Sequence, residues 1–282
     1  METIKIFNNK KSGYLFHYAH FMCDALFTTF TSNPEAPKVK KKILRAEHPE
    51  QTLGVFKNIF ERILNCEVEE VQISKIMEDP NLIAIPRKED LFNASSLNNF
   101  RSFIFKKVSE SNIKRTTPFP EVLLIKRKTQ NLVSSPRMRA YLDKYKDFVE
   151  QQEGEDWRNV LSLGDLSKNG SERREINRID TLDRILKEIY RERYQGVYLE
   201  DIKFEEQVAY FSQARVIICA HGAAISNMMF ANPLSTLIEV NDFPGGHNPS
   251  FPFFDTITTT LQCRHIKTSN HLEKIIGAIP VS

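Results

Sequence analysis

The chain has 282 residues, 41% apolar and 27% charged, which is ordinary globular composition and excludes disordered, collagen-like and coiled-coil classes. Its 39 Lys plus Arg against 36 Asp plus Glu leave a formal charge of only +3. That length suggests about two domains. Only 10 residues are glycine, about half the usual share, so their positions carry information.

The N-terminal stretch METIKIFNNKKSG has neither a long apolar core nor a small-residue cleavage site, so no signal peptide is expected. Thr3–Phe7 within it has the pattern of a strand. His20 and Asp24 follow four residues apart, a spacing that puts both on one face of a helix. Residues 101–139 hold ten Lys or Arg against Glu110 and Glu121, a basic belt fit for nucleic acid or an anionic small molecule. Within it, Lys114–Pro120 (KRTTPFP) breaks the pattern and is the expected domain boundary. The four cysteines show no C-x-x-C spacing and read as free thiols of a reducing compartment.

The second half alternates strand-like and helix-like segments. Glu121–Lys126 is an apolar run of strand length, and an extra helix is expected around Met138–Gln151. Ile176, Ile179, Leu182, Ile185 and Ile189 recur at three- and four-residue steps and predict a helix over 177–192. Gly196–Glu200 reads as a strand, Phe204–Ala214 as a helix, Val216–Ala220 as a buried strand, Ala223–Phe230 as a helix and Thr236–Val240 as a strand. Such alternation predicts parallel sheets covered by helices on both faces. In the second half the longest purely apolar run, Val216–Ala220, is far below the roughly 18–20 residues that a membrane span needs. No membrane span is expected.

The sharpest local feature is the turn after Val216–Ala220. His221 and Gly222 fall at the carboxyl edge of a parallel sheet, where ligands bind. Gly222 allows close approach to the backbone, Ala223 and Ala224 keep the entrance narrow, and the first amides of the next helix favour an anion such as a diphosphate. There is no Asp-x-Asp in the chain, so the usual carboxylate route to a divalent cation is missing, and arginine forks can bind phosphate oxygens instead. The loop Phe243–Pro249, with Gly245, Gly246 and His247, could close over a ligand, and two of Phe251, Phe253 and Phe254 are expected in the core.

The segment His221-Gly-Ala-Ala-Ile-Ser-Asn227, followed by Phe230, Pro233 and the strand ending at Glu239, resembles the hallmark of glycosyltransferase family 61. Four further segments are similar to the family's motifs in the same order: His20-Phe-Met-Cys-Asp24-Ala-Leu26, Leu123–Arg127, Arg174-Glu-Ile-Asn177 and Leu199–Val208. The chain has His17 where the family usually has Asn, and Arg137 or Arg139 competes with Arg127 for the family arginine.

The resemblance implies a GT-B fold, two Rossmann-like α/β domains with parallel sheets facing across a cleft. The expected bounds are 1–117 for the acceptor side, 118–268 for the nucleotide sugar, and 269–282 for a C-terminal helix returning to the first domain. It further implies inverting transfer from a UDP-sugar donor, xylose favoured over N-acetylglucosamine, to a glycan hydroxyl. No metal or other cofactor is expected. Arg127, Arg174, His221, Gly222, Ala223 and Glu239 are the candidate donor contacts, with Glu239 accepting from ribose hydroxyls. Asn227 is a candidate for donor binding or for bracing. Either Asp24 is the general base with His20 orienting it, or the reverse; His17 and His247 are further candidates near the acceptor. Such a protein is expected to be soluble and cytoplasmic, of bacterial or viral type. Competing expectations are a nucleic-acid binder using the belt, and a nucleotide-sugar binder without activity, against which the presence of both His20 and Asp24 argues.

Overall fold

A computed structural model describes residues 2–6, 18–32, 41–46, 53, 56–72, 82–85, 91–110, 119–127, 176–241 and 252–280. These fall into two compact units, one reaching to Ser96 and the other starting at Leu97.

The first unit holds a four-stranded sheet made of β1 (Glu2–Ile6), β2 (Lys41–Ala46), β3 (Glu67–Gln72) and β4 (Leu82–Ile85). All pairs are parallel and the order is β3-β2-β1-β4. A helical stretch follows β1: α-helix at Tyr18–His20, π-helix at Phe21–Phe27 and α-helix again at Thr28–Ser32. All seven residues of the π segment are buried. Phe21 stacks on Phe56 with ring centroids 4.7 Å apart, and Tyr18 meets the edge of Phe56 at 5.7 Å.

The second unit holds five parallel strands: β5 (Val122–Lys126), β6 (Tyr194–Tyr198), β7 (Val216–Ala220), β8 (Thr236–Val240) and β9 (Arg264–Thr268). Their order is β6-β5-β7-β8-β9. Counted from β5, that is the 2-1-3-4-5 order of doubly wound sheets, whose direction of winding reverses between the first and third strands. The switch point therefore lies between β5 and β7. Strands β7 and β8 are buried along their whole length, as two-sided cover requires. One face packs Val122, Leu124, Ile218 and Ile238 against Leu182 and Leu186 of the helix Ile179–Tyr190.

Most elements of this unit fall within two residues of their expected bounds. The strand expected at 196–200 runs from Tyr194 to Tyr198, because β5 pairs Val122 with Tyr194 and so sets the start. Gly196 lies where a Cβ would come within 2.6 Å of Asp183 Oδ1, an oxygen that Tyr194 contacts at 2.5 Å. The helix expected at Ala223–Phe230 is there, with the same bounds and in 3-10 geometry. Runs longer than three or four residues are uncommon in that geometry, and outside anchors hold this one. Ile225, Met228, Met229 and Phe230 are fully buried, and Phe230 contacts the rings of Phe100 and Phe204. The extra helix expected at 138–151 lies outside the described residues.

The helix Ala94–Glu110 lies from Leu97 onward in the second unit. Its buried face explains this: Arg101 Nη1 donates to the carbonyls of Met229 at 2.8 Å and Ala231 at 2.7 Å. The C-terminal helix, Leu272–Gly277, has Ile275 buried in the core of the second unit. No helix among the described residues is long and apolar enough to cross a membrane. All four cysteines are free, and Cys23, Cys219 and Cys263 are buried.

Replacing Arg101 by Met keeps the stem but leaves two carbonyls at the end of the 3-10 segment without their charged donor. The expected loss is about 2–4 kcal/mol of unfolding free energy, measured by chemical denaturation; Arg101→Lys should recover part of it.

Candidate active site

The second unit's site is assembled at its switch point. Arg127 follows the last residue of β5, and His221 follows the last residue of β7. The β5–β7 register pairs Ile125 with Cys219, so two residues further on Arg127 is level with His221. The His221 amide donates to Val240 O at 2.9 Å, which continues the β7–β8 pairing past the strand end. Gly222 then has φ 150° and ψ −166°, a region essentially restricted to glycine. That backbone redirects the chain into the 3-10 segment, whose first amides receive no side-chain cap. Ala223 and Ala224 are half-buried there, with small side chains beside the turn. Arg127 is half-buried, and burial draws its pKa down against the opposing pull of Glu200 and Cys219.

Behind the turn lies a line of hydrogen-bonded charges. His221 Nδ1 bonds Glu239 Oε1, and His265 Nε2 bonds Glu239 Oε2 at 2.6 Å. The other nitrogen of His265 faces Asp255 Oδ1 at 3.0 Å, and Lys267 Nζ lies 2.6 Å from the same oxygen. Burial would raise the pKa of Glu239, which is only 3% exposed, but the two imidazoles outweigh it and hold the carboxyl down at about 2. Burial and the Glu239 charge push the Cys219 thiol up, so it is not a nucleophile. Phe254 is buried and meets the His221 ring edge-on at 5.8 Å, in keeping with a core role.

The first unit holds the other pair. His20 Nδ1 lies 2.7 Å from Asp24 Oδ2, so the four-residue spacing does bring the two side chains together. Asp24 sits inside the π segment, which removes its backbone from the regular i to i+4 ladder. Thr28 Oγ1 compensates by donating to Asp24 O at 2.5 Å. Asp24 is buried while His20 is half-buried.

Glu239 presents both oxygens to imidazoles inside the core. Asn227 is fully buried and donates to Gln207 Oε1 at 3.3 Å, while Gln207 Nε2 donates to Leu199 O at 3.0 Å. That contact ties the segment to the helix Phe204–Gln213. Arg174, Arg137, Arg139, His17 and His247 lie outside the described residues. The basic belt also loses members as a free charged surface: Arg101 is buried, and Lys126 bonds Asp183 at 2.7 Å. His265 and Asp255 were not singled out from the sequence. The signal available for His265 was the two-residue step to Lys267, which places both on one face of a strand.

The sequence model of the family described as Glycosyltransferase 61 matches residues 18–238, a span that takes in the His20–Asp24 pair, Arg127 and the Gly222 turn. The chain belongs to this family of glycosyltransferases. A comparison with curated proteins gave no match.

Folding lowers the pKa of Glu239 from 4.5 to about 2, so its charge stabilises the fold above pH 4.5 and that contribution is lost as pH falls through about 2. Glu239→Gln should therefore be less stable than the parent at pH 7, with a gap that narrows between pH 4.5 and 2. Urea unfolding across that range measures it.

Proposed function

We propose that the chain transfers a sugar from a UDP-sugar to a hydroxyl of a glycan, with inversion and without a metal ion. Xylose is the favoured sugar and N-acetylglucosamine the alternative. The observation that carries this reading is the meeting of Arg127, His221 and the Gly222 turn at the switch point of the second sheet. Transfer leaves negative charge on the departing diphosphate, and fixed donors at that position lower the barrier without reorganising. The Arg127 fork and the uncapped amides after Gly222 are such donors, supplied from two adjacent strand ends.

The acceptor hydroxyl must lose a proton as it attacks. In this reading the His20–Asp24 pair takes it: buried Asp24 holds Nδ1 of the ring, and His20 accepts the proton on Nε2. That inverts the order in which Asp24 is the base and His20 its partner. Attack from the side opposite the diphosphate gives the inverted anomeric centre. A GT-B arrangement, with one Rossmann-like unit serving the acceptor and the other the donor, belongs to the same proposal. Buried free thiols at Cys23, Cys219 and Cys263 fit a reducing compartment.

A donor screen that reads UDP release with monosaccharide glycosides as acceptors tests the reaction. UDP-xylose should give the largest signal; a signal with no UDP-sugar sinks the reading. His20→Ala and Asp24→Asn should each lower kcat by about 10²–10⁴, the range of a lost general base, with donor KM little changed. Full turnover in both variants rules the pair out.

Activity should also survive excess EDTA. Loss that manganese restores would overturn the metal-free mechanism.

A further inference from the structure

The proposed transfer uses His221 but leaves unexplained why its ring is backed by a buried carboxylate and a second histidine. An apolar pair at 239 and 265 would cover the same sheet face without burying charge, and burying charge is costly unless it is paired. The arrangement has a direction. It begins at Lys267 and at Asp255, whose side chain is 47% exposed, passes through His265 and Glu239, and ends on the His221 ring at the Gly222 turn.

Hydrogen-bond logic assigns the protons. An ionised carboxylate only accepts, so the Glu239 contacts require N–H at His221 Nδ1 and at His265 Nε2. The depressed pKa of Glu239 supports its ionised form. On the far side, His265 Nδ1 faces Asp255 and the Thr258 hydroxyl at 3.3 Å. Thr258 Oγ1 lies 3.1 Å from Phe254 O, to which it donates, and so can accept from the ring. His265 thus donates from both nitrogens and is pinned between carboxylates on two elements, β8 and the helix Pro252–Thr260.

We propose that His265 is a positioning residue of the transferase site, which fixes the Glu239 carboxylate so that it holds His221 with its proton on Nδ1 and directs Nε2 to the bound diphosphate. This rests on the transferase reading for what His221 contacts, but not for the state of the rings. Without His265, Glu239 loses one of two anchors and can rotate, and the His221 ring loses its fixed orientation. At metal sites, groups that orient a ligand-bearing histidine through a carboxylate matter by about 10–100-fold, and that sets the size of effect looked for here. His265 lies beyond the residues matched by the family, so this part of the site is read from the structure alone.

The test combines ring NMR with binding and kinetics on the full chain. In the parent labelled with ¹⁵N-histidine, long-range ¹⁵N–¹H spectra should show His221 protonated at Nδ1 and His265 protonated at both nitrogens. Assignment uses His221→Asn and His265→Gln. An Nε2–H tautomer of His221 in the parent overturns the proposal without any functional measurement. His265→Leu should abolish the hydrogen-bonded Nδ1–H signal of His221, weaken UDP binding about tenfold and lower kcat at least tenfold. His265→Gln, which keeps one donor toward Glu239, should restore most of both. A folded His265→Leu protein with the parent's His221 signal, UDP affinity and kcat overturns the proposal. If His265→Leu does not fold, the parent spectrum and His265→Gln decide, and a glutamine variant that keeps the Nδ1–H signal yet is as impaired as His221→Asn overturns it. Should the parent show the expected ring states but bind no UDP, the transferase reading fails while the hold of His265 on His221 stands.

Discussion

A carboxylate removed from water must be paired, and Glu239 meets that constraint by binding one imidazole with each oxygen. Much of the second unit's site follows from this. The strand β8 must place the carboxylate on the sheet face shared with Cys219 and Arg127. The strand β9 must bring His265 up on its other side, and β7 must stop just before His221, whose ring reaches Oε1. A parallel register is what makes those three requirements compatible, because neighbouring strands keep equivalent positions on one face.

The turn that follows depends on a second set of anchors. Gly222 adopts a backbone that other residues avoid, and the long 3-10 segment after it is not a conformation that propensity favours. It is held at its middle by the Asn227–Gln207 contact and at its C-terminal end by Arg101. Arg101 places positive charge where the orphan carbonyls of a helix end carry partial negative charge, so the contact is favourable despite burial of the guanidinium. An uncapped start and a tightly held end leave the first amides as the open hydrogen-bonding capacity of the segment. In the first unit a π segment plays the comparable part, lifting Asp24 out of the regular ladder and leaving Thr28 to satisfy its carbonyl.

Several of these features are legible in the sequence. The buried strand Val216–Ala220, the turn at His221 and Gly222 and the strand Thr236–Val240 follow from apolar runs bounded by turn residues, and each falls where expected. The pairing of His20 with Asp24 follows from helical spacing, which a π segment perturbs but does not undo. Charge patterning was less informative. Arg101 reads in sequence as one cation of a basic belt, and nothing local marks it as buried, because its partners are carbonyls some 130 positions away. The imidazole partners of Glu239 and the Gln207 partner of Asn227 are hidden for the same reason: type and position near a turn do not reveal which partners occupy a side chain.

The sequence by itself determined the class of elements, the order of the strands along the chain and the family. Those properties reside in periodicity, turn residues and short motifs, which are local. Only the tertiary structure decided that Glu239 serves His221, that His265 stands behind both, and that the C-terminal helix covers the second sheet. Each of those depends on strand order across a sheet, and parallel neighbours are separated in sequence by whole crossover connections. Local pattern carries no record of which distant strand lies alongside.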